Sequence, residues 1–148
     1  MGRIITIITF LALTSLVATG QEPQPCKKSQ DSADRSEAYL MVAASRARAE
    51  AEMENALKYL TSTHPDVPPK QYKLDFLSAA MKEMSKIQGS KVSVLDRGFG
   101  LLILRRVEIE TELRSMLDSY TADFPDVVDK RAELAAHQRL IERYSAAN

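Results

Sequence analysis

The sequence predicts an all-α protein built as two tandem antiparallel helical hairpins in a coiled-coil-like, four-helix arrangement. Three observations lead there. From residue 34 onward Ala, Glu, Arg, Leu, Met and Lys dominate, the residues that lose least on entering a helix. Only the short run Lys91-Val92-Ser93-Val94-Leu95 offers a strand. Finally, the chain repeats itself at an offset of 60 residues, and each copy carries a helical apolar stripe.

The identical pairs are Arg46/Arg106, Glu50/Glu110, Glu52/Glu112, Leu57/Leu117, Thr61/Thr121, Pro65/Pro125, Asp66/Asp126, Val67/Val127, Lys70/Lys130 and Leu74/Leu134. That makes ten identities in 29 ungapped positions, where ordinary composition gives about two. The stripe runs through Tyr39, Val42, Arg46, Ala49, Met53, Ala56 and Leu60 in the first copy. In the second it runs through Phe99, Leu102, Arg106, Ile109, Leu113, Met116 and Tyr120. Alternating steps of three and four describe a heptad seam facing a partner helix. Arg46 and Arg106 are the charged seam positions, each with Glu four residues on, so they are expected to set pairing rather than stability.

The elements follow in order. Residues 1–20 read as a secretory signal: Arg3 supplies the charge, residues 4–18 carry none, and Ala18 and Gly20 are small where a signal peptidase cleaves. The stretch is too short and too rich in Thr and Ser for an ordinary span, which needs ~20 apolar residues, although an uncleaved anchor is the alternative. Residues 21–33 are polar and Pro-bearing, a disordered lead-in. Cys26 follows Pro23-Gln24-Pro25, which does not fit lipid attachment, so the thiol either forms an intermolecular disulfide or has no role.

The first hairpin is assigned to residues 34–88, with helices over 34–61 and 66–88. In its turn, Pro65 disfavours the helical region at His64, and Asp66 is placed to cap the next helix. Pro68 and Pro69 are tolerated because first-turn N–H groups have no helical partner. A linker over 89–92 leads to the second hairpin, 93–148, with helices over 93–121 and 126–145. Ser93, three residues before Asp96, resembles a helix start. Pro125 and Asp126 repeat the structural turn of Pro65 and Asp66.

Composition excludes several functions. The chain has 148 residues, with 20 Lys and Arg against 20 Asp and Glu, so the clustered positive excess of a nucleic-acid arm is missing. One Cys rules out an intrachain disulfide framework and a Cys-rich zinc site. His64 reads as a surface turn residue, and His137 as part of a solvated helix face, because a metal site needs three or more ligands. Arg97-Gly98-Phe99-Gly100 lacks the third glycine of a nucleotide loop, since position 103 is Ile. The two glycines instead allow close helix approach or loosen the first turns of the third helix. Arg46-Ala47-Arg48 and Arg105-Arg106 are each followed by Glu, the pattern of helix-surface ion pairs. No catalytic, cofactor or metal residue is assigned, and none of these patterns reads as an enzyme.

Around the two turns, His64-Pro65-Asp66-Val67 and Tyr120-Thr121 with Phe124-Pro125-Asp126-Val127 resemble a Tyr-x-x-x-His-Pro-x-Val segment. That segment belongs to the coiled-coil regions of polysaccharide co-polymerases, the chain-length determinant family. The resemblance covers roughly 18 residues per copy and carries no catalytic residue. It implies a bacterial envelope setting and a scaffold role. The expectation is an exported, periplasmic or extracellular scaffold acting by coiled-coil association with a protein partner or with itself as a homo-oligomer. It involves no nucleic acid, and no membrane span once the signal is cleaved. The alternative is a small periplasmic holdase-type chaperone for unfolded clients.

Overall fold

The computed structural model describes residues 33–147, so the signal peptide, nearly all of the lead-in and Cys26 lie outside the described residues. Four helices carry the fold: α1 (Glu37–Tyr59), α2 (Val67–Met84), α3 (Arg97–Leu117) and α4 (Pro125–Ala147). Short 3₁₀ helices cover Ala33–Arg35 and Gly89–Val94. There is no strand among the described residues, so the protein is all-α.

Each helix begins for a local reason. Ser36, in extended backbone, accepts the Tyr39 N–H at 3.2 Å and starts α1. Asp96, also extended, accepts the Phe99 N–H at 2.9 Å and starts α3. Ser93 is therefore not the start of the third helix: it lies in the 3₁₀ segment, with its hydroxyl donating to the Ser90 carbonyl at 2.8 Å. This segment also reaches beyond the predicted linker. Val94 and Leu95 are buried, and the Leu95 carbonyl accepts the otherwise unpartnered Ala38 N–H of α1's first turn at 3.2 Å.

Three backbone hydrogen bonds recur in the two turns. Leu60, His64 and Val67 donate backbone N–H groups to Ala56 (2.8 Å), Thr61 (3.0 Å) and His64 (2.9 Å). Their counterparts Tyr120, Phe124 and Val127 donate to Met116 (2.8 Å), Thr121 (3.1 Å) and Phe124 (3.0 Å). Val67 and Val127 are both buried. The sequence repeat is thus a repeat of backbone conformation.

Two details of the turns correct the sequence expectation. Helix α1 stops at Tyr59, with Leu60 extended (φ −118°, ψ 148°), ahead of the point where Pro65 could end it. The following Thr61-Ser62-Thr63 run does not favour another helical turn. Nor does Asp66 cap α2: its backbone is helical (φ −80°, ψ −9°) and its side chain makes no capping bond. The N–H groups a cap would take belong to the second and third helical residues, which here are Pro68 and Pro69. In α4 the helix opens on Pro125, so Asp126 sits inside the first turn. The Phe124 carbonyl there accepts from both Val127 and Val128 at 3.0 Å.

The main core is shared. Val42 and Ala49 of α1, Leu77, Ala80 and Met84 of α2, and Phe99, Ile103 and Val107 of α3 form one buried cluster with Val94 and Leu95. Fully burying one of its Val, Leu, Ile, Met or Phe side chains contributes about 1.5–3 kcal/mol. Gly100 permits the α1–α3 contact, because a Cβ there would lie 3.0 Å from the Ala38 Cα. α3 packs on each of the other three helices, while α4 packs principally on α3.

Candidate interaction surface

The Tyr72 hydroxyl of α2 donates to the Asp118 carboxylate at the end of α3 at 2.8 Å, and the Arg114 guanidinium lies 5.2 Å from the Tyr72 ring centroid. The N-terminal end of α2 therefore meets the C-terminal end of α3. Both turns, with Pro65, Asp66, Pro125 and Asp126, fall at that same end of the molecule. Tyr120 and Phe124 stack there at 4.5 Å between centroids, and both are exposed.

The two seam arginines also converge, each on α2. Arg46 pairs with Glu50 at 2.6 Å, and its Nε donates to the Ser78 hydroxyl at 3.0 Å. Arg106 pairs with Glu83 at 3.0 Å and lies 3.7 Å from Glu110. The two environments differ: the Arg46 side chain is 41% exposed and that of Arg106 only 16%. The Arg106 Nε is buried without a hydrogen-bond partner, within ion-pair reach of Glu110 but beyond hydrogen-bonding distance. Burial pushes the Glu110 carboxyl up, against the opposing pull of Arg106.

A second charged network joins α3 to α4. Arg105 donates to Glu133 at 2.8 Å, and Lys130 donates to Glu112 at 2.7 Å and to Glu133 at 2.8 Å. The Lys130 ammonium, hydrogen-bonded to Glu112 and Glu133, is pushed up, and the same bond holds the Glu133 carboxyl down. Near the other end, the Tyr144 hydroxyl reaches both carboxylate oxygens of Asp96 at 2.9 and 2.8 Å. The Phe99 N–H and then the Tyr144 hydroxyl hold the Asp96 carboxyl below its ordinary value. His137 is not simply solvated. Its Nε2 donates to the Leu102 carbonyl at 2.8 Å, and the ring is half-buried because α4 lies along α3 there. His64 remains at the surface turn, where its Nδ1 accepts the Asp66 N–H at 3.3 Å.

A groove of about 420 Å³ lies between α1 and α3. Met41, Ala44, Ser45 and Arg48 form one wall, Leu104, Val107 and Glu108 the other, with Leu77 and Lys73 contributed by α2. Leu40 and Leu101, outside the lining of this groove, are both exposed. Among the described residues no three His, Cys, Asp or Glu side chains gather as a metal site. No described helix is long and apolar enough to cross a membrane.

Sequence reasoning missed the Asp96–Tyr144 contact. Half of it was legible, since an Asp three residues before Phe99 is a helix-cap signal. Comparison with protein-family models, curated proteins and solved structures gives no match to this chain.

Proposed function

We propose that this protein is an exported, non-enzymatic helical scaffold that acts by docking an amphipathic helix, from a partner or a second copy, between α1 and α3. The observation that carries this reading is the groove itself, whose walls and floor combine Met41, Ala44, Leu77, Leu104 and Val107. An amphipathic helix presents an apolar stripe flanked by charge. The groove offers the complement, an apolar floor with Arg48 and Lys73 of one sign and Glu108 of the other. Export rests on the residue 1–20 signal pattern, and the envelope setting on the resemblance at the two turns.

Light scattering of the mature chain, alone and after incubation with envelope extract, tests this reading. Wild type should form a defined larger species that Ala44→Glu or Leu104→Glu abolishes, with helicity by circular dichroism unchanged. A groove that tolerates both charges without loss of assembly has no docking role. A holdase-type chaperone is the second reading, favoured by the exposed Leu57, Tyr59 (86% exposed), Tyr120, Phe124 and Val128. Suppression of client aggregation without a defined complex would select it.

A further inference from the structure

We propose that α4 is a releasable strap, latched at its far end by Tyr144 on Asp96, which swings off α3 as a unit while α1, α2 and α3 stay folded. The unequal distribution of burial is the first support. α1 buries Ala38, Val42 and Ala49, α2 buries four residues and α3 five, whereas the 23 residues of α4 bury only Val127. Val127 lies at the turn, beside the hinge, and it stands outside the core cluster shared by α1, α2 and α3. Ile109 of α3 is likewise buried outside that cluster.

Between hinge and latch, α4 is tied by polar contacts at its edge and by side chains that are only partly buried, Leu134 and Ile141 among them. The Arg105–Glu133 and Lys130–Glu112 pairs are solvent-accessible, and pairs of that kind hold weakly. His137 adds one bond to the Leu102 carbonyl. Ile141 and Tyr144 pack against the core but are themselves only partly buried. An element with little buried apolar area opens at a lower free energy than the rest of its domain.

The far end is held differently. Tyr144 gives its hydroxyl hydrogen to a carboxylate already fixed as the α3 cap, and its ring sits 6.4 Å from that of Phe99. The seat depends on Gly98: a Cβ at that position would stand 2.5 Å from the Tyr144 hydroxyl oxygen and 3.1 Å from its Cζ. Release would uncover the α3 face that carries Leu102 and Ile109, part of the heptad seam. The opening does not depend on what the α1–α3 groove binds.

Amide hydrogen exchange on the full chain, read by mass spectrometry of peptides from each helix, tests the latch. In wild type, residues 129–147 should exchange faster than the buried turns of α1, α2 and α3. Tyr144→Phe removes the hydroxyl, and Gly98→Ala displaces it while giving α3 a better helix former. Each should speed exchange across 129–147 about ten-fold, the effect of losing a hydrogen bond to a charged group, and leave α1 and α2 unchanged. Equal exchange in all four helices overturns the proposal. So does an α4 indifferent to both variants, or an acceleration spread evenly over the chain.

Discussion

Arg106 and Glu110, one turn apart on α3, are a close but imperfect pair: their charged groups approach to 3.7 Å, and both side chains are largely sheltered. Glu83 of α2 shares the guanidinium at 3.0 Å but is itself 60% exposed. Removing one member of a sheltered pair strands the other. Arg106→Leu should therefore lower the melting temperature, by roughly 1–3 kcal/mol of lost stability. Arg106→Leu with Glu110→Leu should recover most of it. Arg46→Leu, at the matched but exposed position, should change little. Thermal melts of the three variants decide this, and equal losses at the two arginines would refute the distinction.

Capping predicts a contrast between two aspartates. Asp96→Ala should cost about 1 kcal/mol, because the Phe99 N–H then loses its acceptor. Asp126→Ala removes only a first-turn charge within a helix that has already begun, a change of about 0.3–1 kcal/mol. Urea midpoints in parallel will rank the two; a larger loss at Asp126 means that its carboxylate caps α4 after all.

The Asp96 carboxyl has a lowered folded-state pKa, set first by the Phe99 N–H and next by the Tyr144 hydroxyl. A depressed carboxylate contributes stability above its unfolded pKa, about 3.9, and loses it as pH falls through the lower folded value. Asp96→Asn keeps one acceptor oxygen, Oδ1, for the Phe99 N–H and the Tyr144 hydroxyl, but cannot titrate. The wild-type advantage over Asp96→Asn should be present at neutral pH and be lost in acid, as pH falls below the unfolded value and through the lower folded one. Melting curves of both proteins across that range provide the measurement, and a constant gap at every pH would contradict the assignment. Glu110, whose carboxyl is raised by burial, changes with the opposite sign in both proteins and so cancels from the comparison.

Close approach makes Gly100 sensitive to size. Its Cβ would meet the Ala38 Cα at 3.0 Å and the Met41 sulfur at 3.2 Å, and the first of these belongs to backbone. Gly100→Val should cost roughly 1–3 kcal/mol as α1 and α3 are forced apart. Gly89 is sensitive for another reason: its φ of 66° lies in the left-handed region, with open space around it. Gly89→Ala should cost about 1 kcal/mol in backbone strain alone. Crystal structures or melts showing both substitutions neutral would count against the packing described here.

The sequence by itself determined the helices, the turns and their repetition. Helix formers, alternating three- and four-residue apolar steps and the Pro-Asp-Val turns are local signals, and Val67 and Val127 obey them with the same hydrogen bond. From sequence Asp66 is expected to cap α2, yet Pro68 and Pro69 remove the second- and third-residue N–H groups that such a cap accepts. What only the tertiary structure decided is which apolar face meets which. Arg46 and Arg106 occupy equivalent seam positions, yet α3 lies among three helices and shelters Arg106, while Arg46 stays half open. Tyr144 and Asp96, 48 residues apart, carry no mutual signal in the chain. A periodic stripe specifies that a helix seeks an apolar partner. The shape of the contact, here the close approach at Gly100 and the seat above Gly98, selects the partner.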